Sequence, residues 1–90
     1  MISHINAKWK RLYKKLPSTI RKIAKKQYKY FKENPYHSSL HFKRIHSNKP
    51  IFSARINYNY RTIGVLTNDN IIIWFWIGSH DEYDKLLTSH

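Results

Sequence analysis

Seven consecutive apolar residues, IIIWFWI at 71–77, constrain the fold of this 90-residue chain more than any other feature. A strand that alternates apolar and polar residues can leave one face in water, but a run apolar at every position must be covered on both. It is far short of the roughly 20 residues that span a bilayer. The run therefore reads as a buried central strand, no membrane association is expected, and the rest of the chain must supply the layers that cover it.

The N-terminal third offers such a layer. Over residues 6–15, Trp9, Leu12, Tyr13 and Leu16 recur at spacings of three and four, while Lys8, Lys10, Arg11, Lys14 and Lys15 fill the other positions. That spacing predicts a short amphipathic helix. Pro17 then suits a first helical position, and Ile20, Ile23, Ala24, Gln27, Tyr28 and Phe31 trace a second stripe between Arg21, Lys22, Lys25, Lys26, Lys29 and Lys32. A longer helix is expected over 17–33, stopped by Asn34 and Pro35.

Beyond the stop the composition shifts to β-formers. Turn signals at Ser47, Asn48, Lys49 and Pro50, at Asn57, Tyr58 and Asn59, and at Thr67, Asn68, Asp69 and Asn70 divide it into strands at 40–46, 51–57, 60–66 and 71–77. Phe52, Ala54 and Ile56 alternate cleanly. Gly78 and Ser79 end the last strand, and Asp81 and Glu82 open a short helix over 81–87, where acids favour the dipole. The expected fold is α+β, a single domain over 1–90: two N-terminal helices packed on a four-stranded antiparallel meander, a short C-terminal helix, and one sheet face left for function.

Charge narrows the function. Seventeen Lys and Arg against five Asp and Glu give +12 and a pI near 10.1, which calls for a polyanion or an acidic protein as partner. Residues 1–68 carry 16 basic residues against Glu33 alone, net +15, whereas residues 69–90 are net −3. With no cysteine there is no disulfide framework, and without the apolar stretch of a signal peptide near the start a cytoplasmic protein is expected. His4, His37, His41, His46 and His90 show no metal-ligand spacing, so no metal or other cofactor is expected; His90 is expected to fray with the terminus. Gly64 and Gly78 alone make no phosphate loop, and no paired carboxylates occur outside the acidic end, which removes nucleotide hydrolysis and glycosidase chemistry.

Arg55 is out of phase with Phe52, Ala54 and Ile56 and points to the opposite face; Lys43 and Arg44 lie on the preceding strand and Arg61 opens the next. Any one of them is most simply a solvated charge, but four on adjacent strands form a basic surface. His80 follows the central strand at the Gly78-Ser79 break, where a histidine can move protons near neutral pH, or else cap the following segment or bond a carbonyl. His46 ends the first strand beside Ser47 and is kept as a second candidate. Tyr58, Tyr60 and Tyr83 interleave with the cations in a way that suits base stacking, whereas Trp74 and Trp76 read as core.

The string FSARINYNYRTIG at 52–64, followed by IGSHDEY at 77–83, resembles the RelE/ParE superfamily of type II toxins: a basic strand residue, a tight turn, Tyr-Arg opening the next strand, then Ile-Gly-x-His or Ile-Gly-x-Arg after the last. The resemblance implies a RelE-like fold and, in the nuclease branch, ribosome-dependent, metal-independent cleavage of messenger RNA held in check by an antitoxin. It assigns Arg55 as the basic residue before the turn, Arg61 as the Tyr-Arg arginine, His80 as the residue two after the glycine and Tyr83 as the aromatic that follows; Lys43, Arg44 and Tyr60, from the basic and aromatic surface, are expected on the RNA. Two features depart from the family pattern. Ser53 stands where a basic residue is frequent, and the chain reads as beginning with a helix where many relatives have an edge strand, which would alter antitoxin docking. The competing readings are a ParE-like inhibitor of DNA gyrase and a non-catalytic RNA- or ribosome-binding module.

Overall fold

The computed structural model describes residues 1–88, and His90 lies outside them. In chain order the elements are β1 (Ile2–Ile5), α1 (Ala7–Lys14), α2 (Ser18–Glu33), a 3₁₀ turn (Ser38–Leu40), β2 (Lys43–Arg44), β3 (Ile51–Asn57), β4 (Tyr60–Leu66), β5 (Ile71–Ser79) and α3 (His80–Thr88). Both amphipathic helices form where the periodicity places them. The Asn6 side chain caps α1 by accepting the Trp9 N–H at 2.9 Å, and Asn34, extended ahead of Pro35, closes α2 by donating to the Tyr30 carbonyl at 2.8 Å.

The sheet departs from expectation in two ways. It has five strands in the order β1-β5-β4-β3-β2, and it is mixed, because β1 pairs parallel with β5 through Ile2 opposite Ile71 to Ile5 opposite Trp74. The chain therefore does begin with an edge strand. Four residues with two polar positions give too little alternation to stand out in the sequence, and the pairing is fixed from outside: the Trp74 indole N–H donates to Ser3 Oγ, which donates to the Tyr28 hydroxyl, both at 3.0 Å. β5 consequently lies inside the sheet, but β4 is the middle strand. At the other edge the strand expected over 40–46 shrinks to two residues, because the 3₁₀ turn and a left-handed His41 (φ 46°) use the preceding chain.

A β-bulge explains how the apolar run is buried on both sides. The register steps from Ile63 opposite Trp76 to Gly64 opposite Trp74, so Phe75 is an extra residue on β5. In a regular strand Trp74 and Trp76 would share a face; here they are 2 % and 7 % exposed in separate cores. Trp74 joins Trp9, Ala24, Phe31, Leu40, Ala54, Ile56, Ile72 and Ile77 beneath α1 and α2. Trp76 joins Ile63 and Tyr83 beneath α3. Opposite Trp74 only glycine fits, since a Cβ on Gly64 would lie 2.8 Å from the indole Cε3. The buried Thr62 hydroxyl donates to the Trp76 carbonyl at 2.8 Å and accepts the Trp9 indole N–H at 3.0 Å, so the irregular stretch leaves that carbonyl paired. The face expected to be free for function is thus half covered by α3. Among the described residues no helix is long and apolar enough to cross a membrane.

Candidate active site

The uncovered half of that face lies at the β3–β4 turn. Arg55 pairs directly across the ladder with Arg61, and Arg61 pairs on its other side with Gly78, so two guanidiniums stand in one cross-strand row next to the start of α3. Directly opposed like charges are unfavourable. Burial, and then the charge of Arg55, push the Arg61 guanidinium below the usual arginine range, with Asp84 among the groups acting the other way. It stays protonated at any physiological pH. The row is held by local contacts. Arg61 Nη1 donates to the carbonyls of Asn57, Tyr60 and Tyr58 at 2.6, 2.9 and 3.3 Å, which wraps the turn around it. The Arg55 guanidinium lies over the exposed Tyr58 ring, 5.8 Å from its centroid. From the helix side, Gln27 Nε2 donates to the Arg55 carbonyl at 3.0 Å beside the β3 bulge at Ile56.

His80 is brought to this row by a capping box. Ser79 Oγ accepts the Glu82 N–H at 3.2 Å, and Glu82 Oε1 accepts the Ser79 N–H at 3.2 Å, the reciprocal pairing that Ser-x-x-Glu makes at a helix start. The His80 N–H donates to the Asn59 carbonyl at 2.6 Å, tying α3 to the turn that carries the arginines. Its backbone therefore bonds a carbonyl, while Ser79 does the capping and leaves the imidazole for another task. The ring pairs with Asp84, Nδ1 to Oδ2 at 3.1 Å, one helical turn on.

The other sequence candidates separate. Tyr83 is 7 % exposed, packs on Trp76, and donates its hydroxyl to the buried Ser53 Oγ at 3.2 Å, so its phenol is turned into the core. The same contact accounts for Ser53: a long cation would not fit under the phenol. Lys43 pairs with Ser53 and shares the arginines' face at the sheet edge, but Arg44, one residue on, points the other way, with Nε donating to the carbonyls of His46 and Lys49 at 3.0 and 3.2 Å. Tyr60 packs against the helix-side core. His46 organises the β2–β3 turn, its Nδ1 accepting the N–H groups of Asn48 and Lys49 at 3.1 and 3.0 Å. It sits by Ile51 at the start of β3, four residues and thus about 13 Å along the strand from Arg55. Asp84 was not singled out in the sequence, although the His80–Asp84 spacing of four on a helix is legible there. The Ser-x-x-Glu signature was legible as well. Among the described residues no three metal-ligating side chains come together.

Known proteins agree with this architecture. A family model described as a ParE-like toxin domain matches residues 18–85. The fold is similar to the toxin in a RelB-RelE antitoxin-toxin complex from Methanococcus jannaschii (TM-score 0.71, 18 % identity, 91 % of this chain and 95 % of that one). It is also similar to YafQ from Escherichia coli strain BL21(DE3) (TM-score 0.70, 13 % identity, 90 % and 94 %) and to the isolated Escherichia coli RelE toxin (TM-score 0.64, 14 % identity, 98 % and 96 %). No curated protein sequence matches. With the family model covering most of its length, the chain belongs to the ParE-like toxin family and is a type II toxin of the RelE/ParE superfamily.

Proposed function

We propose that this toxin is an endoribonuclease that cleaves messenger RNA on the ribosome without a metal ion and so blocks translation. The observation that carries the reading is the convergence of Arg55, Arg61 and His80 at one end of a single sheet face. Cleavage by the RNA's own 2′-hydroxyl forms an O2′–P bond, breaks the P–O5′ bond, and requires one proton to leave the nucleophile and one to reach the leaving oxygen. His80 serves as the proton-transfer group, and the two guanidiniums neutralise the charge that builds on the phosphoryl oxygens. Dependence on the 2′-hydroxyl gives RNA over DNA. Lys43, farther along the same face, extends the cationic track for the backbone. The toxin is held inactive by an acidic antitoxin segment laid over this basic surface, a reading supported by the +12 charge and by similar toxins solved in complex with antitoxins.

The test is cleavage of ribosome-bound messenger RNA by purified protein. Wild type should cut, and His80→Ala should be slower by about 10²- to 10⁴-fold with its melting temperature unchanged. An equal rate would move proton transfer elsewhere. Growth arrest in which DNA replication stops first, with gyrase-linked breaks and intact messenger RNA, would replace this reading with gyrase inhibition.

A further inference from the structure

We infer that Asp84 is a positioning residue for His80: it receives the Nδ1–H of the imidazole, fixes the tautomer and the ring plane, and leaves Nε2 as the atom that exchanges protons with RNA. The inference rests on the nuclease reading above and adds a residue to it. Its basis is the Nδ1–Oδ2 contact of 3.1 Å between side chains one turn apart on α3. The backbone that carries both groups is fixed independently of them, by the Ser79–Glu82 capping box and by the His80 N–H on the Asn59 carbonyl. Neither side chain is needed to build the helix start.

Two further observations assign the pair to the site. A cation-forming residue N-terminal to an acid at this spacing is the less favourable orientation along a helix, so helix stability is a poor reason for it. The charge of Asp84 also acts on the Arg61 guanidinium, opposing the effect of burial and of Arg55 there. Tyr83 flanks the imidazole on its own helix, ring centroids 6.0 Å apart, but its hydroxyl is committed to Ser53 and cannot take the Nδ1 proton. A neutral imidazole whose Nδ1–H is engaged has its acceptor lone pair on Nε2; without the carboxylate the ring would divide between two tautomers and rotate freely.

The experiment compares full-length wild type, Asp84→Ala and Asp84→Asn by ¹⁵N imidazole chemical shifts of His80 and by cleavage kinetics. Asparagine keeps the size of the side chain but loses the charge and adds N–H groups that can donate to Nδ1, so it separates a filled position from an acceptor-only partner. Wild type should show the Nδ1–H tautomer, Asp84→Ala a mixture, and Asp84→Asn a shift toward the Nε2–H form. Asp84→Ala should lower kcat by roughly tenfold with KM within about twofold, less than a buried orienting carboxylate provides because these side chains are 44 % and 55 % exposed. Asp84→Asn, although it fills the same position, should not restore the rate. An unchanged tautomer and an unchanged kcat in Asp84→Ala would overturn the inference. If wild type itself cut no RNA, the nuclease reading would fall, and the tautomer measurement would still decide whether Asp84 orients the ring.

Discussion

The sheet face under α1 and α2 closes over nine buried core residues and links Trp9 through Thr62 to the Trp76 carbonyl, whereas the face under α3 closes over three and then gives way to opposed arginines. The larger core supplies most of the apolar burial, and burial is the dominant favourable term in folding. An arrangement that stability alone would reject, two guanidiniums side by side with an exposed histidine, is therefore tolerated on the other face. Gln27 links the two, since it is buried among the helix-side residues yet holds the carbonyl of Arg55.

The comparison breaks first, if at all, at the two tryptophans. Trp74→Ala should destabilise by about 3–5 kcal/mol in urea unfolding, and Trp76→Ala by less, because its cluster is smaller. Equal losses, or a larger one for Trp76, would show that α3 carries as much of the fold as the N-terminal helices. Gly64→Ala tests the bulge: forcing a methyl against the Trp74 ring should cost about 1–3 kcal/mol, and a neutral result would mean that the indole has room to move. Ser79→Ala removes the capping box and should cost about 1 kcal/mol, while loosening the start of α3 enough to slow cleavage. Hydrogen exchange at His80 and Glu82 would report that loosening, and unchanged protection would detach the cap from the site. Smallest of all, Lys25→Ala on the exposed side of α2 should shift stability by under about 0.5 kcal/mol and leave cleavage at the wild-type rate. A clear loss of cleavage there would make the helical face part of the RNA surface.

Both long helical stripes, the Asn34–Pro35 stop and the three hairpin strands were legible because each is set by side-chain period and turn chemistry within a few residues. The Arg55–Arg61 row did not follow from the same logic: a two-residue turn at Tyr58 and Asn59 would set Arg55 opposite Thr62, and the β3 bulge at Ile56 is what brings Arg61 across from it. His46 and Tyr83 look alike in the sequence to residues that serve a site, but one is spent on the N–H groups of its own turn and the other on a buried serine 30 positions away.

Sequence alone determined the basic amphipathic helices, the strand order from β2 to β5 and the need to bury residues 71–77 on both sides. Tertiary structure decided how that need was met. Whether the four residues of β1 pair at all depends on a free strand edge and a Ser3 hydroxyl reaching Trp74 and Tyr28, contacts that span 71 and 25 positions. Which face each tryptophan takes depends on one extra residue in β5, and a bulge is chosen by the neighbours it relieves, here Gly64 and Thr62, more than by Phe75 itself. Local patterns fix elements because their energies are local; the docking of β1, the bulge and α3 is decided by packing between residues far apart in the chain, which no short window contains.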